Sequence, residues 1–443
     1  MSTSGTPGTR HHPLARFLHT EAASGVLLLL ATIAALLWAN SPWGGAYEAA
    51  AHLEIAIRVG PWELVKTLLH WINDGLMAIF FFLVGLEIKR EMQTGELASP
   101  RLAALPIAAA IGGMAVPAAI YTLCNQGGPG ASGWGVPMAT DIAFSLGILA
   151  MLGKRVPAAL KGFLAALAIV DDLGAVLVIA VFYTESISWG SLAGGGALLA
   201  LSLALNHLGV RRPLAYALIG IVIWLLFLRS GVHATVAGVL MAFTIPSKRR
   251  IDTISFIANA RGIVDEFERA DDPLPLTNAE QHALVGRLEA RCEEVQPPLQ
   301  RIEHTLQPWV AFGIMPIFAL ANAGLVVGGD FLAVAGNPVG LGIILGLVVG
   351  KPLGVLLATW LAIRLGLASL PRGVGFTHLA GVGCLAGVGF TMALFIAGLA
   401  FGESANLDSA KAGILIASTI SGVLGVVVLL VAARRAPGKS AAA

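Results

Sequence analysis

Residues 163–182 read FLAALAIVDDLGAVLVIAVF, an apolar run with two adjacent carboxylates, Asp171 and Asp172, at its centre. A helix needs roughly 20 mostly apolar residues to cross the hydrocarbon core of a bilayer. An ionised Asp at mid-bilayer costs about 2.5–3.5 kcal/mol on insertion scales. A chain that accepts this twice in succession has a use for the charge. The composition supports the membrane reading: of 443 residues 56% are hydrophobic and only 12% charged, against about 25% charged in soluble domains. A net charge of +2 gives no reason to expect a nucleic-acid partner. Cys124, Cys292 and Cys384 lack the spacing of a metal site or a disulfide framework. No cleavable signal is evident, because the first apolar run is long and follows the polar segment 1–21.

Outward from that stretch, apolar segments lie near 22–40, 63–88, 102–124, 134–153, 159–183, 190–208, 213–229, 231–246, 308–328, 338–364, 376–401 and 410–433. They predict an all-α polytopic membrane protein of about 12 transmembrane helices. With the N-terminus placed in the cytoplasm, only five of the 28 Lys and Arg fall elsewhere than on the inner side: Arg58, Lys66, Arg229 and Lys411 outside, and Lys351 within the tenth span. That bias follows the positive-inside rule and implies an even number of spans with both termini cytoplasmic. The expected organisation is an N-terminal tail (1–21), spans 1–8 (22–246), a cytoplasmic loop (247–306), spans 9–12 (307–433) and a C-terminal tail (434–443). The loop is polar and carries both charge signs, with Thr277 and Glu280 in a capping-box pattern, so it reads as a solvated helical segment. In the first outer loop, AHLEIAIRVG (51–60) alternates apolar with other residues at period two, which predicts a strand or hairpin.

Spans 3–5 and 10–12 run in opposite directions, as an inverted repeat requires. Their middle members, 4 and 11, are both interrupted. GWGVPMATDIAFSLG carries Pro137, Thr140 and Asp141, and GVGCLAGVGFTM carries Gly381, Gly383, Gly387 and Gly389. Breaks at matching positions of two halves point to a transporter site near the midplane, although glycines also serve tight helix packing. Asp141, Asp171, Asp172 and Lys351 fall at similar depth in the two halves, which packing alone does not explain.

Adjacent helical residues point about 100° apart, so one of Asp171 and Asp172 can line a hydrated cavity while the other meets Lys351 or a neighbouring helix. A buried Asp–Lys pair fixing helix register is the plain structural alternative. Three carboxylates, however, exceed what one Lys neutralises, and the surplus calls for a cation. Burial and mutual repulsion favour protonated carboxylates, and oxygen ligands from Asp, Thr and exposed carbonyls suit Na+ or Li+. Both cations would want one site, and competition there is sufficient for exchange across an alternately exposed membrane protein. Such a cycle, with more than one proton per sodium, moves net charge.

The segments ATDIAFSLG (139–147), LAIVDDLGAVLVIAVFYT (167–184), SGVHATVAG (230–238), IEHTLQPWVAFGIMPIFALANAG (302–324), GKPLG (350–354) and GVGFTMALFIAGLAFG (387–402) closely resemble the NhaA-type sodium/proton antiporters of bacterial inner membranes. That type is itself one of the examples of the inverted-repeat architecture, so the symmetry and the resemblance are not independent. The resemblance implies an ion and proton site of Asp171, Asp172, Asp141 and Thr140, with Na+ or Li+ held by Asp171 and Asp172. It implies that Lys351 pairs with Asp171, and that helices 4 and 11 cross with Asp141 and Lys351 offsetting their end dipoles. Also implied are electrogenic, pH-activated exchange, no cofactor beyond the transported ions, and a homodimer joined through the outer loop 43–61. The pH-responsive positions carried over are Glu87, Glu91, Glu303 and His304, with His233 a further candidate; His titrates between pH 5 and 8. Gln307 stands where many relatives have His, and the 247–306 loop is longer than in compact members. Rival readings are a cation-coupled symporter, a channel, for which no pore-loop filter is seen, and an intramembrane aspartyl enzyme. The nearest match to the GxGD pattern of the last, Gly328-Gly329-Asp330, falls in an outer loop.

Overall fold

The computed structural model describes residues 13–60, 62–184, 186–249, 251–270, 279–328, 331–371 and 373–435. Thr277 of the expected capping box, Gly329 and Asp330, most of the N-terminal tail and residues 436–443 lie outside the described residues. Among the described residues, the chain is all-α apart from one hairpin. It runs α1 (Pro13–Ala39), α2 (Gly44–Ala51), β1 (Glu54–Val59) and β2 (Trp62–Thr67), then α3 (Met77–Thr94), α4 (Pro100–Cys124) and a tight 3-10 turn (Ala131–Met138). There follow α5 (Ile142–Met151), α6 (Ala158–Phe182), α7 (Trp189–His207), α8 (Pro213–Ser230) and α9 (Ala234–Thr244). Next come α10 (Thr253–Arg269), α11 (Ala279–Val295), α12 (Pro298–Trp309) and α13 (Met315–Asn322). The last part is α14 (Pro338–Leu345), α15 (Lys351–Arg364), α16 (Phe376–Ala386), α17 (Phe390–Phe401) and α18 (Ala405–Arg435).

Among the described residues, ten helices are long and apolar enough to cross a membrane, and α16 with α17, bent by 46° at their break, makes an eleventh. The expected eighth span is α9, of only 11 residues, which at 1.5 Å per residue rises about 16 Å. Its C-terminal end is tied off from the side. Lys89, which the sequence suggests as a loop charge, lies inside α3 and is 9% exposed. Its Nζ donates to the carbonyls of Phe243 (2.7 Å) and Ile245 (2.5 Å), placing a cation at the negative end of the α9 dipole. Lys89→Met is expected to lower the melting temperature of the purified protein, by roughly 1–3 kcal/mol of lost charge-assisted bonding; an unchanged melt would show that these carbonyls find other donors.

Some element ends depart from the expected ones. Helix α1 begins at Pro13 and carries the expected first span, Ala22–Ala39, in its later part. The second span begins at Leu68, not 63, because 62–67 pairs antiparallel with 54–59. Glu63 and Lys66 are poor company for hydrocarbon, and Glu63 is bridged to Arg58 across the hairpin at 2.5 Å. The ninth span begins at Pro298, not near 307. A proline at the first helical position is pre-set for helix, and the Leu299 amide bonds back to the Pro246 carbonyl at 3.1 Å. The loop before it holds α10 and α11 packed on one another. Asp252 caps α10, its Oδ1 accepting from the Ser255 amide at 2.8 Å, and these bonds hold its carboxyl below the usual pKa.

Helices α4 and α15, members of the third and tenth spans, pack together closely. A Cβ on Gly112 would stand 2.3 Å from the Gly354 carbonyl oxygen, and one on Gly354 2.1 Å from that of Gly112. Only glycine permits this approach. It delivers the start of α15, and with it Lys351, into the protein interior.

Candidate functional site

Both interrupted spans break where expected, and the breaks touch. In the fourth span the 3-10 turn ends at Met138, residues Ala139–Asp141 are extended, and Asp141 caps α5 by accepting from the Phe144 amide at 3.1 Å. Pro137 removes a donor before the break, and Asp at the N-cap favours the restart. In the eleventh span Gly387–Gly389 separate α16 from α17. A Cβ on Gly387 would fall 2.4 Å from the Leu347 carbonyl oxygen, and one on Gly389 2.8 Å from that of Ala139. These glycines therefore serve both readings offered by the sequence, a break and a close approach.

Unwound backbone inside a membrane protein is tolerated only where its polar groups are satisfied, and here each break supplies the other. The Asp141 amide donates to the Val388 carbonyl at 2.7 Å. Thr140 Oγ1 lies 2.9 Å from the Ala386 carbonyl and Ser145 Oγ donates to that of Leu385 at 2.8 Å. Asp141 Oδ2 accepts from the Thr391 amide at 2.9 Å and from the Thr391 hydroxyl. One carboxylate thus faces the N-terminal ends of α5 and α17, where partial positive charge gathers. Lys351 Nζ donates to the Met138 carbonyl at the C-terminal end of the 3-10 turn.

Lys351 also reaches Asp171 Oδ2 at 2.6 Å, both side chains being fully buried. Thr140 Oγ1 stands 2.7 Å from the same oxygen. Lys351 is aimed by a widened turn, Gly346–Gly350, directly before it; such turns recur at functional sites. Asp172 points elsewhere. Both of its oxygens, and Asp171 Oδ1, are buried without a hydrogen-bond partner. One aspartate meets Lys351 and the other does not, as the 100° offset requires. The expected hydrated cavity is not found in this conformation: Asp172 is 0% exposed and Asp171 1%, because α3, α4 and α16 all pack against α6. Among the described residues no three His, Cys, Asp or Glu side chains form a metal-holding group, and Asp141 is occupied as a cap. The oxygens with capacity to take a cation are those of Asp171 and Asp172, with Thr140 and the break carbonyls beside them.

The expected pH-responsive residues separate into two places. Arg90 bridges α3 and α12 by an ion pair with Glu303 and also contacts Glu91 at 3.3 Å. Glu303 is 6% exposed, while His304 beside it is exposed. Glu87, one turn from Glu91, is within Coulombic range of Asp172, so the cluster leads from the protein end toward the aspartates. His233 stands apart, its Nε2 3.0 Å from the Tyr183 carbonyl at the other end of α6. Arg90 and Thr391 belong to these two sites and were not singled out from the sequence. Thr391 had a visible signal, a hydroxyl two residues after a glycine break; Arg90 had none beyond its place between two glutamates.

This arrangement can be set beside known proteins. The model of the Na+/H+ antiporter 1 family matches residues 15–429. An Na(+)/H(+) antiporter NhaA of Oleidesulfovibrio alaskensis is 53% identical over 97% of this chain and 96% of its own. One from Koribacter versatilis is 50% identical over 94% and 91%, and an NhaA 2 from Sorangium cellulosum 51% identical over 94% and 89%. Those relatives are transporters, not enzymes, and the family match covers the residues of both interrupted spans. The chain belongs to the Na+/H+ antiporter 1 family.

Proposed function

We propose that this protein exchanges intracellular Na+, or Li+, for external protons across a bacterial inner membrane, with both termini cytoplasmic. The observation that carries the reading is Asp172, a fully buried carboxylate whose two oxygens have no donor, beside an Asp171 already shared by Lys351 and Thr140. An ionised carboxylate without a partner is strongly disfavoured in such surroundings. A proton or a hard cation removes the penalty, and the two exclude one another. Sodium binding needs Asp172 deprotonated and Asp171 released from Lys351; when the Lys351 ammonium gives up its proton on that release, two protons leave for each sodium bound and the cycle is electrogenic. The sealed aspartates correspond to a state closed to both sides, with access gained by movement of the touching breaks. In this reading Glu87, Glu91, Glu303 and His304, with Arg90, set the pH response, and His233 takes no direct part in that cluster. Two copies associate through loop 43–61, whose hairpin presents unpaired strand edges.

Competition fixes the sign of a pH dependence. Isothermal binding of Na+, Li+ and K+ to purified protein, with proton release recorded, should show Na+ and Li+ binding weaken as pH falls. The change is up to about tenfold per pH unit for one competing proton. A sodium affinity that is constant from about pH 6 to 8.5, without proton release, contradicts a shared site.

A further inference from the structure

Against the two breaks, α1, α5 and α18 enclose a groove of about 1130 Å³. Its walls are mostly apolar, interrupted by the hydroxyls of Thr32, Ser418 and Thr419, and among the described residues that line it the only charged one is Arg155, at the end where α1 begins. Arg155 is exposed there. Leu430 lines the same end from α18, and Arg434, one turn further along the same helix face, is exposed beyond it. Among the described residues, no carboxylate lines the groove. Its α1 wall runs from Ala22 to Leu36, a rise of about 21 Å, against about 15 Å for the hydrocarbon of one leaflet.

At mid-height the wall is the back of the two breaks. Val388 and Phe390 line it from the eleventh span and Phe144 from the fourth. The Val388 carbonyl accepts the Asp141 amide, and Phe144 and Phe390 meet edge to face at 5.4 Å. An apolar groove longer than one leaflet, with guanidinium groups at its mouth, is complementary to one class of molecule present in the membrane this chain spans. We infer that it holds an anionic phospholipid. Its phosphodiester lies at Arg155 and Arg434, and an acyl chain runs along α1 to the breaks, bracing Val388 and Phe390 from outside. The site shares no side chain with the aspartate cluster.

The test is lipid binding, independent of ion exchange. Delipidated full-length protein is titrated with phosphatidylglycerol, and separately with phosphatidylcholine of identical acyl chains, and bound lipid is counted by native mass spectrometry. One phosphatidylglycerol should bind in preference to phosphatidylcholine. Arg155→Gln should weaken it about fivefold, the order of one cation near an anionic headgroup, and should erase the preference together with Arg434→Gln. Val26→Trp fills the groove from a position on α1 that is 47% exposed and should lower retention of both lipids. Gly422→Leu, where an added Cβ meets Ile148 at 3.4 Å and Val388 at 3.7 Å, fills it from α18. Equal binding of the two lipids by the parent protein, or undiminished retention in Val26→Trp, overturns the assignment.

Discussion

Asp172→Asn is expected to bring sodium-driven proton movement in everted vesicles down to the level of vesicles without the protein, while the variant accumulates in the membrane as the parent does. Both halves of that result follow from the geometry. Asp172 accepts no hydrogen bond, its oxygens being buried without a donor, so the amide removes no native hydrogen bond and takes away a group that is expensive to ionise in place. Folding should be unharmed. The amide can neither release a proton nor give a sodium ion a charged oxygen, so both competing ligands lose the same site. Asp171→Asn should be equally inactive but less stable, because it leaves the buried Lys351 ammonium without its carboxylate. Exchange at the parental rate in the Asp172 variant would remove Asp172 from the ion path altogether.

Lys351→Ala is expected to lower stability far more clearly than it alters the choice between Na+ and Li+. Removing one partner of a buried ion pair typically costs about 3–5 kcal/mol. Here the loss also strips a donor from the Met138 carbonyl and opens a gap where α15 enters the interior. In detergent the variant should melt many degrees below the parent. The double change Lys351→Ala with Asp171→Asn should recover part of that loss, since it removes the uncompensated charge along with its partner. A single variant that melts with the parent, or a double variant whose losses simply add, would show that the 2.6 Å contact carries little of the stability.

Much of this protein is settled by composition and spacing. Runs of about twenty apolar residues leave backbone groups no option in a bilayer but to pair within a helix, so the spans declare themselves one at a time. An aspartate in such a run stands out because the penalty is local, and Pro137, Gly387 and Gly389 mark breaks because their limits on the backbone are intrinsic. The strand alternation at 54–59 is equally local, yet its partner 62–67 was absorbed into the second span, since pairing is made by a neighbour and not by the strand itself.

What the chain folded in three dimensions decided is which group meets which. By residue type two adjacent aspartates are equivalent, and only the resemblance distinguishes them; the packed helices bring Lys351 to Asp171 and leave Asp172 without a donor. The resemblance implies Asp141 as an ion ligand that also offsets helix-end dipoles; the fold supplies its partner, Thr391, 250 residues away, so that one carboxylate caps two helices at once. Lys89 reads as a loop charge until the end of α9 is laid against it. Apolar runs and breaks are legible because their energetics involve only the chain's own neighbours and the bilayer. Ion pairs and caps across helices are not, because their energy depends on distances of a few ångströms that only the packed interior sets.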